Sequence, residues 1–269
     1  MEQPIYQVDA FTDRPFAGNP AAVCPLDAPR SDVWMQNVAA EMNLAETAFL
    51  LPQDDGWNLR WLTPVLEVDL CGHATLAAAH ILWETGRLAP DAQARFYSRS
   101  GLLTADRRGD WIELDFPAER ETQTEASLML FAALGARPRY LGKNRFDLIV
   151  ELDDEAAVRA LKPDFAQIAL LPVRGVIVTA RSDSPEYDFV SRFFAPQCGI
   201  PEDPVTGSAH CCLGPFWSAR LNKTELSAFQ ASPRGGHVKV SVRDERVLLG
   251  GQAVTTLRGT LTAAASETA

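Results

Sequence analysis

The sequence has no long hydrophobic run, no excess of basic residues and no paired-cysteine motif. Its longest apolar stretch, residues 76–83, includes a histidine and is far shorter than the roughly 20 residues that a membrane-spanning helix needs. The formal net charge of −10 argues against nucleic acid or anionic lipid as a partner, because both require a basic surface. We therefore expect neither a membrane protein nor a nucleic-acid-binding protein.

The cysteines and the first residues of the chain bear on its compartment. Five cysteines, an odd number, are present, and no two of them form a CxxC pair. The first residues show no basic segment followed by an apolar one, which a secretory signal would require. The sequence therefore predicts reduced thiols in a cytoplasmic protein.

Common cofactor and hydrolase motifs are also missing. There is no HExxH, GxSxG, Walker A or strand–GxGxxG–helix pattern. His210, Cys211 and Cys212 suggest a metal site, but adjacent ligands on a helix point away from one another, and no second cluster completes a zinc set. We expect a protein that uses no metal and no cofactor.

What is present is an ordinary globular composition arranged as a repeat. Hydrophobic residues make up 46% of the 269 residues and charged residues 22%. Each half of the chain has the pattern strand, helix, strand, strand, helix, hairpin, and the halves meet in a polar stretch at residues 118–125. We predict an N-terminal α+β domain over residues 1–118 and a C-terminal α+β domain over residues 124–259, related by a pseudo-twofold axis. No structure is predicted for the tail from residue 260.

The second helix of each half begins with small residues and no acid. The first of these helices is predicted over residues 72–84 and the other from Thr206 to about Arg220. The N–H groups of a helix's first turn have no partner inside the helix, so two such starts facing each other would favour a carboxylate or enolate. The alternative is that Gly72, Gly207 and their neighbours only allow close packing.

Six sequence blocks, in order along nearly the whole chain, resemble the phenazine-biosynthesis PhzF-like isomerases, which share the diaminopimelate epimerase fold. The blocks are residues 8–12 (VDAFT), 16–23 (FAGNPAAV), 43–49 (NLAETAF), 62–64 (LTP), 71–77 (CGHATLA) and 202–210 (EDPVTGSAH). The resemblance implies two similar domains, each a curled, mostly antiparallel sheet around a central helix, with the active site in the cleft between them. It also implies a cofactor-independent isomerase of a biosynthetic process, and a homodimer. In the family's named activity the substrate is a dihydro-hydroxyanthranilate.

The resemblance also implies roles for particular residues. Glu46 would shuttle the proton, with the help of His73 and Asp203, and the substrate would be a small anionic metabolite. Substrate-binding positions would be Asn19, Gly72, Gly207 and Ser208. One departure from the family pattern is Ala45, where a serine more often precedes the glutamate.

The residues themselves leave other interpretations open. Glu46 alone could be an exposed loop glutamate, but apolar neighbours would raise its pKa and suit it to taking and returning a proton. A lone His73 is often a packed residue, and Asp203 before a proline is often a turn. A non-catalytic binding scaffold is a second hypothesis for the chain. The third is a two-base racemase using Cys71, which is disfavoured because the matching position in the second half is Thr206.

Overall fold

The computed structural model describes residues 2–125 and 128–262, which group into two compact units. The first unit contains the chain up to Asp115 and again from Gly250 onward, and the second unit runs from Phe116 to Leu249. Sequence analysis expected the chain as far as residue 259 to belong to the second domain. The difference arises because the last strand pairs with the first one.

The first unit is a mostly antiparallel sheet with two helices. Its strands are β1 (Gln3–Ala10), β2 (Asn19–Pro25), β3 (Thr47–Gln53), β4 (Gly56–Leu62), β5 (Glu67–Val68), β6 (Ala94–Ser98), β7 (Gly101–Arg108), β8 (Trp111–Pro117), which runs on past the division, and the last strand of the chain, β18 (Ala253–Leu261). Hydrogen bonding gives the order β18-β1-β2-β3-β4-β6-β7-β8, with β2–β3 and β4–β6 parallel. Strand β18 extends to Leu261, so residues 260 and 261 lie in a strand although the sequence predicted no structure there. Residues 263–269 lie outside the described residues.

Capping residues bound the first helix of this unit, and the second helix covers the residues that the sequence predicts. Helix α1 (Asp32–Met42) begins after Ser31, whose Oγ accepts a hydrogen bond from the Trp34 N–H at 3.2 Å, and ends at Asn43 in the left-handed conformation (φ 50°). Helix α2 (Gly72–Glu84) packs against β1, β2, β3 and β18. Nearly every residue of α2 is buried, which agrees with its small and apolar sequence.

The second unit repeats the arrangement. Its strands are β9 (Thr122–Gln123), β10 (Tyr140–Lys143), β11 (Asp147–Glu151), β12 (Gly175–Arg181), β13 (Phe189–Ala195), β14 (Ile200–Asp203), β15 (Glu225–Gln230), β16 (Gly236–Arg243) and β17 (Arg246–Gly251), which runs on past the division. The parallel pairs are β11–β12 and β13–β15, and the other pairs within this unit, such as β12–β13 and β15–β16, are antiparallel.

Four helices complete the second unit. They are α3 (Leu128–Leu134), α4 (Glu155–Ala160), α5 (Phe165–Ile168) and α6 (Gly207–Leu221). Residues of α3, α4 and α5 form a core with β10 to β13, and α6 packs against β15 and β16. Helix α6 continues past Pro215, although a proline within a helix removes one backbone hydrogen bond. The expected α+β class is confirmed. Among the described residues, none of the helices combines the length and apolarity that crossing a membrane requires.

Candidate active site

The start of α2 carries the first group of predicted site residues. Cys71 occupies the N-cap position with extended backbone (φ −147°, ψ 110°), and among the described residues its thiol makes no capping hydrogen bond to the helix. Gly72 opens the helix, and His73 follows within the first turn. The positive end of the helix dipole therefore lies beside a residue without a side chain, where an anion can approach the backbone closely.

Glu46 is brought to this helix start by the chain segment between α1 and β3. Its backbone carbonyl accepts a hydrogen bond from the Ala22 N–H at 3.1 Å, which ties the segment to β2. Its Oε2 lies 3.2 Å from Nε2 of His73. Glu46 is 8% exposed and His73 is 5% exposed, so the two side chains meet in an almost dry environment. The alternative of an exposed loop glutamate is wrong.

The imidazole of His73 is neutral at neutral pH, and a neighbour selects its tautomer. Burial lowers the pKa of His73 to about 3. The side-chain amide nitrogen of Asn19 lies 3.2 Å from Nδ1. An amide nitrogen can only donate, so Nδ1 accepts and the ring carries its proton on Nε2, the atom that faces Glu46.

Asn19 is itself fixed by the turn before β2. Gly18 has a positive φ of 63°, and a Cβ there would lie 2.1 Å from the carbonyl oxygen of Ala10. Only glycine fits this position. The carboxylate of Asp9 accepts a hydrogen bond from the Phe16 N–H at 2.7 Å, which holds the same loop. Asn19 is fully buried as the first residue of β2.

The second group of predicted residues lies at the start of α6. Asp203, the last residue of β14, is 9% exposed, and its Oδ2 accepts a hydrogen bond from the Thr206 hydroxyl at 2.5 Å. Gly207 and Ser208 form the first turn of α6. Asp203 is therefore held by the segment that leads into the helix rather than lying in an open surface turn.

Two residues that the sequence patterns did not identify hold this second group. The fully buried Gln230 accepts from the Thr206 N–H at 2.9 Å and donates to the Asp203 carbonyl at 2.7 Å. Arg174 donates to the Ser208 hydroxyl at 2.9 Å and forms an ion pair with Asp147. A glutamine that ends an otherwise alternating strand was the available signal for Gln230. Arg174 lies in a loop without a motif and gave no signal.

The structure thus sorts the seven predicted site residues into two groups. Four of them belong to the first unit. Glu46, Gly72 and His73 lie at the start of α2, and Asn19 contacts the His73 ring. Asp203, Gly207 and Ser208 belong to the second unit and share the start of α6. Among the described residues, the one set of three side chains close enough together to ligate a metal ion is Glu46, Cys71 and His73, whose ligand atoms lie within 4.8 Å of one another.

Comparison with known proteins gives the chain a family. Residues 8–259 match the family described as phenazine biosynthesis-like protein. An uncharacterized isomerase of Halalkalibacterium halodurans is 56% identical over 97% of this chain and 99% of its own length, and one of Pseudomonas aeruginosa is 50% identical over 96% and 98%. A crystal structure of a PhzF-family phenazine biosynthesis protein from Enterococcus faecalis superposes with a TM-score of 0.94 at 44% identity, covering 97% of this chain and 100% of that one. The chain belongs to the phenazine biosynthesis-like, or PhzF, protein family.

Proposed function

We propose that this protein is an isomerase that moves a proton within a small unsaturated or enolisable carboxylate, with Glu46 as general acid and base. The observation that carries the proposal is the 3.2 Å approach of the buried Glu46 carboxylate to Nε2 of a neutral His73. Relatives named as isomerases at 56% and 50% identity support the same reaction class. The imidazole beside Glu46 is neutral rather than cationic, so it does not stabilise the carboxylate as an ion pair would. A buried carboxylate in such surroundings is suited to taking a proton from carbon.

The proposed roles of Glu46 and His73 follow from the protonation state of His73. A ring with a pKa of about 3 does not become imidazolium at neutral pH, so it is a poor general acid there. Its Nε2–H group would instead donate to an oxygen of the substrate or, after a small reorientation, to the Glu46 carboxylate. His73 is thus proposed as a neutral hydrogen-bond donor, and Glu46 as the group that carries the proton.

The proposed step balances without an oxidant, reductant or cofactor. The Glu46 carboxylate takes a proton from an activated C–H group, and the electron pair of that bond passes into the conjugated system of the substrate. The Glu46 carboxylic acid then returns the proton to another carbon of that system. The backbone N–H groups at the start of α2 would stabilise the negative charge that develops on the substrate oxygens.

The remaining roles rest on the family resemblance. Asn19 and Gly72 are proposed to bind the substrate alongside Glu46, and Gly207 and Ser208 to bind its carboxylate through main-chain groups. Asp203 would accept a hydrogen bond from a substrate amine or hydroxyl. A small anionic metabolite as substrate, a cytoplasmic location and a homodimeric state belong to the same proposal.

Two-base racemisation is the weaker alternative. It would use Cys71 on one side and Thr206 on the other. The Thr206 hydroxyl donates to Asp203 at 2.5 Å, and a threonine hydroxyl is too weak an acid or base for this task at neutral pH. The racemase would be favoured if the Cys71→Ser variant lost proton exchange while the Glu46→Gln variant retained it.

Proton NMR in D2O tests the proposal. The wild type, Glu46→Gln and Glu41→Gln would be incubated with cyclic and acyclic unsaturated carboxylates, including a dihydro-hydroxyanthranilate. Glu41 is an exposed glutamate of α1 and serves as the matched control. We expect a new isomer or deuterium at carbon with the wild type and the control, and at least about a 100-fold lower rate with Glu46→Gln.

Either of two results would count against the proposal. Equal rates in all three proteins would remove Glu46 from the mechanism. Ligand binding without exchange in any of them would favour the non-catalytic scaffold.

A further inference from the structure

Glu46, Cys71 and His73 form a cluster with the donor set of a metal site. All three residues are buried, and one ligand atom from each lies within 4.8 Å of the other two. The Sγ of Cys71 is 3.5 Å from Nδ1 of His73, and Oε2 of Glu46 is 3.2 Å from Nε2. Two ligands on a tetrahedral zinc ion lie roughly 3.5 Å apart, since zinc–nitrogen and zinc–sulfur bonds are about 2.0 and 2.3 Å long. These two distances involve different ring nitrogens, whereas one ion binds only one of them. Ligand atoms that share a single ring nitrogen lie within 4.8 Å of one another, so side-chain movements of about 1 Å would bring them to the separations of zinc ligands.

The backbone makes this convergence possible. Cys71 and His73 are two residues apart, a spacing that points side chains in different directions within a helix. Cys71, however, is the extended N-cap residue of α2, so its thiol turns toward the ring of His73. Glu46 approaches the ring from the segment that precedes β3.

The chemistry of the three donors selects the class of metal. A thiolate with an imidazole is characteristic of sites for zinc and related thiophilic cations, whereas magnesium and calcium prefer sites built from oxygen ligands. Three protein ligands would leave a fourth position for water or for the carboxylate of a small molecule.

We propose that Glu46, Cys71 and His73 bind a thiophilic divalent cation such as Zn²⁺, and that the bound cation inhibits the enzyme. Binding would occupy the carboxylate oxygen of Glu46 and a ring nitrogen of His73, so neither group could act on a substrate proton. The binding itself is independent of the reaction that the protein catalyses. Only the inhibition rests on the proposed function.

Cobalt titration tests the binding directly. Protein freed of metal by a chelator and kept reduced would be titrated with CoCl₂ alone, and the near-ultraviolet absorption that arises from a sulfur-to-cobalt charge transfer would be recorded. We expect the band to saturate at one equivalent in the wild type and to be displaced by Zn²⁺. The matched pair is Cys71→Ser and Cys198→Ser, since Cys198 is the exposed cysteine, in the second unit.

The variants decide the outcome. We expect the band in Cys198→Ser, no band in Cys71→Ser, and at least a tenfold weaker cobalt affinity in Glu46→Gln. A band that persists in Cys71→Ser, or no band in the wild type at saturating cobalt, would overturn the proposal. Circular dichroism of Cys71→Ser verifies that the variant is folded, and serine is close to cysteine in size.

The absorption readout also separates this proposal from the proposed function. A cobalt band in a protein that exchanges no carbon-bound proton would leave the metal site standing and the isomerase unsupported. Exchange in the wild type that is unaffected by saturating Zn²⁺ would refute the inhibition. When both hold, one equivalent of Zn²⁺ should reduce the exchange rate at least tenfold, and a chelator should restore it.

Discussion

The side-chain amide of Asn19 donates to Nδ1 of His73, and this hydrogen bond determines which ring nitrogen carries the proton. The consequence is a proton on Nε2, the ring nitrogen that lies 3.2 Å from Oε2 of Glu46. Asn19 is therefore proposed to act on Glu46 through His73. We thus propose a positioning role for Asn19 in addition to the substrate-binding role predicted for it.

Replacing Asn19 by aspartate should reverse the tautomer of His73. An aspartate carboxylate accepts hydrogen bonds, so it would draw the ring proton to Nδ1 and leave Nε2 without a proton opposite Glu46. We expect nitrogen-15 NMR to show protonated Nε2 in the wild type and protonated Nδ1 in the variant, and exchange activity to fall about 100-fold.

Asn58→Asp is the matched control, because Asn58 lies on β4 and donates to the carbonyl of Tyr97. It should keep the wild-type tautomer of His73. An Asn19→Asp protein whose His73 remains protonated at Nε2 would show that the hydrogen bond does not set the tautomer.

The buried histidines should make the protein sensitive to acid. Burial lowers the pKa of His210 to about 4, and Nδ1 of its ring donates to the Thr206 carbonyl at 2.8 Å. Below the usual histidine pKa of about 6.5 the unfolded chain takes up a proton that the folded protein does not. The contribution of neutral His210 to the free energy of unfolding is therefore complete above pH 6.5. It should be lost as the pH falls from there toward 4, with a limiting slope of about 1.4 kcal/mol per pH unit.

A His210→Gln variant should lose this share of the pH dependence, as measured by denaturant unfolding between pH 7 and pH 5. Its absolute stability can fall, but the slope against pH should become shallower by about 0.9 kcal/mol per unit on average over this range. Phe189→Leu is the control, because Phe189 packs against the ring of His210 and has no titrating group. An unchanged slope in His210→Gln would contradict the assignment.

Gln230 should contribute to stability as a buried bridge. Its side chain joins the Thr206 N–H to the Asp203 carbonyl, so leucine at this position would leave two buried groups without their partner. We expect the free energy of unfolding to fall by about 3 kcal/mol in Gln230→Leu. Gln93→Leu, at an exposed glutamine, should change it by less than about 0.5 kcal/mol, and similar losses in the two variants would refute the bridge.

Gly18 and Gly109 allow backbone strain to be separated from steric conflict. Their φ angles are 63° and 64°, so alanine meets the same conformational penalty of about 1 kcal/mol at both. A Cβ at Gly18 would also lie 2.1 Å from the Ala10 carbonyl oxygen, whereas one at Gly109 would contact nothing within 4 Å. Thermal and denaturant unfolding should show Gly18→Ala to be at least about 2 kcal/mol less stable than Gly109→Ala. Equal stability would mean that the loop before Asn19 can move aside.

Local patterns predicted the elements well where a residue acts on its own neighbours. Ser31 and Asn43 bound α1 by capping, which depends on a few adjacent atoms and can therefore be recognised in the local sequence. The small, acid-free start of α2 likewise identified Gly72 and His73. Pairing across a long separation was not predictable in this way, so the return of β18 to β1 was missed.

The site was predicted through its motifs and completed by contacts that leave no local trace. Glu46 and His73 were expected on the family resemblance, and the 3.2 Å distance between them is a result of folding. The tautomer-setting contact of Asn19 joins residues 54 positions apart. Arg174 and Gln230 hold residues of the second group from a distant loop and a distant strand. Nothing around Arg174 in the sequence signals that role, and the one signal for Gln230 is its place at the end of an alternating strand.

The pairing of β18 with β1 has a consequence for synthesis on the ribosome. The second unit is continuous in sequence, so all of it has been translated before the first unit receives its final strand. Until residues 253–261 emerge, β1 lacks its β18 partner, and the hydrogen-bonding edge of that strand is open to other chains. Nascent chains stalled before residue 253 should therefore depend on chaperones more than the finished protein does.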